Sequence, residues 1–143
     1  MRFIVGFFWL SMVIGAPAQA DPYRMWSDEV SKATKGLGIC AEAYSDAIGH
    51  GRTNAEIAKR LPEARQTCGV MKIGFDTTML TVRKHVNGID GVLSSYHKLG
   101  NEAFKKLIPK PNQDPLEYYA TSLELVLMVN QEHYKIVALN GGW

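Results

Sequence analysis

Beyond residue 20, apolar side chains recur at steps of three and four along almost the whole chain, and this period limits what the chain can fold into more than any other feature. Trp26, Val30, Ala33, Leu37, Cys40, Tyr44 and Ile48 share one helical face, which predicts a helix from about Tyr23 to Ile48. Cys68, Met71, Phe75, Met79, Val82, Val86, Ile89, Leu93, Tyr96, Leu99, Ala103 and Leu107 continue the same spacing. The expected fold is all-α: a small helical bundle of about four main helices with one or two short extra helices, formed by residues 21–143 as one domain.

Turn and cap residues divide this pattern. Gly49-His50-Gly51 interrupts it, and Thr53-Asn54-Ala55-Glu56 reads as a capping box that starts a second helix near Asn54. That helix carries Ile57, Ala58 and Leu61 inward, and Pro62 is expected to end it or to begin the next, since proline suits a first turn better than an interior. Whether residues 63–108 form one long helix or several turns on Asn87-Gly88, Gly91 and Gly100-Asn101. Helices over about Glu63–Val86, Ile89–Leu99 and Glu102–Ile108 suit a compact chain. Gly36 and Gly38 weaken the first helix unless they admit a close neighbour.

Pro109-Lys110-Pro111-Asn112-Gln113 is a loop, after which Asp114 caps and Pro115 opens a final helix to about Leu139. Leu116, Tyr119, Leu123, Val126, Leu127, Tyr134 and Val137 form its expected main face, and Leu125, Met128 and Val129 widen it almost all round. A helix of that kind is either central in a bundle or has a second side for a partner. The shortness of the run favours the central position.

Gly51-x-Thr53-Asn54-x-Glu56-Ile57-Ala58-x-x-Leu61, with Thr67 six residues later, resembles the first half of the LuxR-type helix-turn-helix of bacterial transcription regulators. The resemblance implies a capped scaffold helix followed by a recognition helix in the major groove, within residues 51–74. The second half departs from that pattern. Pro62 stands where a turn residue is usual, Gly69 and Gly74 interrupt the recognition helix, and only Arg65 and Lys72 would reach phosphates.

The chain opens Met1-Arg2, runs apolar from Phe3 to Ile14 and closes this stretch with Ala18-Gln19-Ala20, the pattern of a secretory signal peptide over residues 1–20. Pro17 and Gln19 interrupt it too early for a membrane-spanning helix, so no stable membrane insertion is expected once the signal is cleaved. A periplasmic or secreted location makes Cys40 and Cys68, the only cysteines, the expected disulfide; the alternative is two buried free thiols. Closing that loop would remove unfolded-chain entropy worth about 3.5 kcal/mol.

A formal net charge of +2 favours no particular partner and gives little for phosphates to bind, so no nucleic acid is expected. The charge is segregated: residues 21–46 are acidic, 47–110 basic and 111–143 acidic. Acidic helices packed on basic ones, a basic face for an acidic partner, or ordinary solvated faces all fit.

Reactive constellations are missing from the sequence. His50, His85, His97 and His133 are dispersed and form no pair at metal-ligand spacing, so no metal is expected and the histidines read as solvent-facing. Serines lack the surroundings of a nucleophile, no glycine loop cradles phosphate, and no cofactor or catalytic residue is assigned. Were the chain an enzyme, its acid or base would come from carboxylates such as Glu42, Asp46, Glu117 or Glu124. The expectation is an exported interaction protein that binds another envelope or secreted protein, for example as inhibitor, immunity factor or chaperone. The alternative is a carrier for a small apolar ligand between the helices, near Leu123 to Val129, Phe75, Tyr96 and Phe104.

Overall fold

The structure is a computed structural model that describes residues 22–139 of the chain, with side chains from Met25 to Ala138. The expected signal segment, residues 1–20, and the C-terminal Gly141-Gly142-Trp143 lie outside the described residues. Four helices follow one another: α1 (Pro22–Ala47), α2 (Asn54–His85), α3 (Asp90–Lys106) and α4 (Pro115–Leu139).

Neighbouring helices run antiparallel. Trp26 near the start of α1 stacks on His85 at the end of α2, while Asp46 near the end of α1 pairs with Arg60 near the start of α2. The α2–α3 pair meets as Arg83 with Ser94 and Asp76 with His97. Contacts join α1 to α2 and α4, and α3 to all three others, whereas α2 and α4 do not touch. The result is an up-down-up-down bundle with α2 and α4 at opposite corners.

The core follows the predicted faces of the first three helices. Val30, Leu37, Cys40 and Tyr44 from α1, with Ile48 just after it, are buried against Cys68, Phe75, Met79 and Val82 from α2 and Leu93, Tyr96, Ala103 and Phe104 from α3. Cys40 and Cys68 form the disulfide, with their Cα atoms 4.6 Å apart, and so staple α1 to α2 within this core. Gly36 provides the expected close approach: a methyl there would stand 3.3 Å from Met71 Cβ.

Two predicted breaks are not breaks. Pro62 lies inside α2, which runs unbroken from Asn54 to His85. Both Pro62 and Ala58, whose carbonyl loses its helical partner, are exposed, so the missing bond falls on the solvent-facing side of α2 where its cost is least. The capping box survives as drawn, Glu56 N donating to Thr53 Oγ1 at 3.3 Å and Thr53 N to Glu56 Oε2 at 2.8 Å. This continuity removes the turn that the helix-turn-helix resemblance requires, and residues 51–74 hold no separate recognition helix.

Gly100-Asn101 likewise fails to stop α3. Gly100 is buried beneath the Phe75 ring, and a Cβ there would lie 2.2 Å from Phe75 Cζ. The residue is glycine to admit an aromatic ring from α2, not to end a helix. Among the predicted breaks within 63–108, only Asn87-Gly88 interrupts the helical run, and the expected short extra helices are absorbed into α2 and α3.

Candidate functional site

The helix bounds of α4 match the sequence expectation, but its buried face does not. Tyr118, Ser122, Val129, His133, Ile136 and Val137 are buried, with Leu125 and Val126 partly covered. From the expected main face, Leu116, Tyr119, Leu123, Leu127 and Tyr134 are instead 46% to 67% exposed. The face turned inward is rotated by about one residue step, roughly 100°. Because α4 is apolar nearly all round, spacing alone does not choose its inner face; polar fits do. Tyr118 Oη donates to the Leu107 carbonyl at 2.7 Å across the α3–α4 connection, and the small Ser122 returns its hydroxyl to Tyr119 O. Centrality is thus corrected: α4 is a corner helix with an uncovered apolar side.

That side borders open grooves. Between α1 and α4 a groove of about 580 Å³ has Gly38, Ala41, Ser45 and Ser122 in its lining, with Tyr119 and Leu123 on the α4 side. A second, of about 520 Å³, lies between the end of α3 and the other flank of α4, where Lys105, Lys106 and Lys110 meet Glu117 and Glu124. A shorter exposed row on α2 consists of Val70, Ile73 and Leu80.

The carboxylates singled out from sequence separate into these two grooves. Glu42 and Asp46 line the first, Glu117 and Glu124 the second. Asp46 is already paired with Arg52 at 3.2 Å and Arg60 at 3.4 Å, which ties the α1–α2 connection to its flanks. No facing acid–base pair arises from the four.

Three of the four histidines pack on aromatic rings; His50 and His85 are exposed as expected, while His97 and His133 are covered, which corrects the solvent-facing expectation for those two. The His85 ring lies 5.1 Å from that of Trp26 and nearly parallel to it, His97 packs on Phe75, and His133 is buried beside Tyr96. Among the described residues no three His, Cys, Asp or Glu side chains group as a metal site.

Two polar clusters were invisible to sequence reasoning because their members sit on different helices. Asp76 on α2 meets His97 Nε2 at 2.7 Å and Lys72 Nζ at 2.6 Å. Burial works against the Asp76 carboxylate, yet the hydrogen bonds from Lys72 and His97 outweigh it and hold its pKa below the ordinary value. Among the described residues no hydroxyl or thiol hydrogen-bonds to His97. In the core, Thr34 Oγ1 donates to Val30 O at 2.7 Å and accepts from the Tyr96 hydroxyl. Burial pushes the Tyr96 pKa up to about 12. Burial also lowers the pKa of His133, against a hydrogen bond with the Ser27 backbone, and its Nε2 has no partner among the described residues.

Phe75, Tyr96 and Phe104, which suggested a ligand pocket, pack on one another instead: the Phe75 ring centroid is 5.7 Å from each of the others. Among the described residues no helix is long and apolar enough to cross a membrane. Compared with known proteins, the chain matches no family model, no curated protein and no solved structure. Fold and site together define a disulfide-tied four-helix protein with an uncovered apolar helix face.

Proposed function

We propose that this chain is an exported interaction protein that binds another protein of the envelope or extracellular space through the outer face of α4, acting as an inhibitor, immunity factor or chaperone. The observation that carries the reading is the row Leu116, Tyr119, Leu123, Leu127 and Tyr134, exposed along one side of a well-packed helix. Contiguous apolar surface of this extent is uncommon on a monomer and marks association sites. The disulfide between Cys40 and Cys68 supports an oxidising compartment, in line with the signal-like start of the sequence.

A photo-crosslinking amino acid placed at Leu123 in the native host tests this directly. A covalent adduct with a defined protein in the envelope or medium is expected from Leu123 and not from Lys59 on the polar outer side of α2. Adducts equally abundant from both positions, or none from Leu123, would overturn the proposal.

A further inference from the structure

We infer that Asn87 is a site of spontaneous covalent modification: the backbone nitrogen of Gly88 attacks its side-chain amide, and the α2–α3 connection acquires an isoaspartyl or aspartyl residue. The inference is independent of what binds α4.

The asparagines among the described residues stand in different settings. Asn54 is the first residue of α2, and Asn101 and Asn130 lie inside α3 and α4. Helical backbone holds the next nitrogen away from the asparagine side-chain carbonyl, and inside a helix the ladder also occupies that N–H. Asn112 lies in a loop, but Gln113 follows it, and the Gln113 N–H donates to the Lys110 carbonyl at 3.2 Å.

Of these asparagines only Asn87 precedes a glycine. Asn87 and Gly88 are exposed, outside any helix, between the buried Val86 and Ile89. Among the described residues no backbone carbonyl accepts from the Gly88 N–H. Gly88 has φ 84°, and a Cβ there would meet nothing within 4 Å, so neither a side chain nor a neighbour shields its nitrogen.

The reaction exchanges one amide for another and consumes only water. The Gly88 nitrogen gives its proton to solvent and bonds to Asn87 Cγ; the Cγ–Nδ2 bond breaks, ammonia leaves, and a succinimide closes. Water then adds to one of the imide carbonyls. Opening at the main-chain carbonyl routes the chain through the former side chain as isoaspartate, whereas opening at Cγ gives aspartate. Either product sets a carboxylate between the basic last turn of α2, Arg83-Lys84-His85, and the start of α3, which has no side-chain cap. Isoaspartate also adds a methylene to a link pinned at both ends by buried side chains.

The test is to incubate the purified, disulfide-bonded protein at neutral pH, folded and in urea, and to follow the Asn87 peptide by mass spectrometry after digestion in acid. Asn140-Gly141, outside the described residues, falls in a separate peptide. The expected result is conversion to the acid forms, isoaspartate in excess, with the folded protein less than about fivefold slower than the unfolded chain, and with Asn101, Asn112 and Asn130 at least about tenfold slower than Asn87 in the fold. Asn87→Gln should abolish the conversion, because glutamine must close a larger ring; circular dichroism checks that this exposed substitution keeps the helices. Slowing in the fold beyond that fivefold limit, or conversion no faster at Asn87 than at Asn112, overturns the inference, since the connection would then hold the Gly88 nitrogen out of reach.

Discussion

Gly100 is where the packing of α3 on α2 is least forgiving, because the Phe75 ring occupies the space a side chain would need. Alanine normally gains about 1 kcal/mol over glycine in a helix, but here its methyl would have to displace a fully buried ring. Gly100→Ala is therefore expected to destabilise by about 1–3 kcal/mol, read as a lower urea midpoint; a rise would mean the ring can move aside. His133 gives a pH dependence of definite sign. Its folded pKa lies below the ordinary 6.5, so the unfolded chain binds the proton more readily. The contribution of this group is fully present above pH 6.5 and is lost as the pH falls below 6.5 toward the folded pKa. Wild type should accordingly lose stability between pH 7.5 and 5.5 faster than His133→Leu, in paired denaturation curves at the two pH values. Parallel slopes would show that the ring binds its proton equally well in the folded and the unfolded chain.

At the scale of the helices, α2 carries a local defect that the rest of the structure tolerates. Pro62 removes one backbone bond at a solvent-exposed turn, and Pro62→Ala is expected to raise stability by about 1–2 kcal/mol, partly offset by the freer unfolded chain. A lower urea midpoint would mean that proline favours a local bend that the α1 contact uses. Removing the staple works the other way: Cys40→Ala with Cys68→Ala should cost about 3 kcal/mol and lower the midpoint without altering helix content. The legibility of the elements follows the same physics. Thr53, Glu56, Asp114 and Pro115 act locally, so the starts of α2 and α4 could be read from sequence, and Glu117 N indeed donates to Asp114 Oδ2 at 2.9 Å. Pro62 and Gly100 are overruled by tertiary packing, through α1 on one side and Phe75 on the other, which no local signal contains. The Asp76–His97 and Thr34–Tyr96 pairs are hidden for a related reason: their partners are brought together only by the packing of different helices.

Across the whole molecule, the charge pattern and the apolar pattern lead to different kinds of surface. Acidic α1 meets the connection to α2 and the start of basic α2 through Asp46, which pairs with Arg52 and Arg60, pairs too exposed to contribute much stability. The apolar pattern of α4 instead exceeds what four helices of this length can enclose. With α2 and α4 at opposite corners, α4 has neighbours only in α1 and α3, and its remaining side stays open. The same helix thus presents two leucine- and valine-rich sides whose substitution must have opposite consequences. Val129→Asn puts an unpaired amide into a site with no exposure and should cost about 3 kcal/mol or more. Leu123→Asn, on the half-exposed side, should shift the stability of the dissociated chain by no more than about 0.5 kcal/mol. Thermal melts at low protein concentration read both. Comparable losses would place Leu123 inside the core and remove the uncovered face on which association depends; a loss confined to Val129→Asn separates the side of α4 that holds the fold from the side available to a partner.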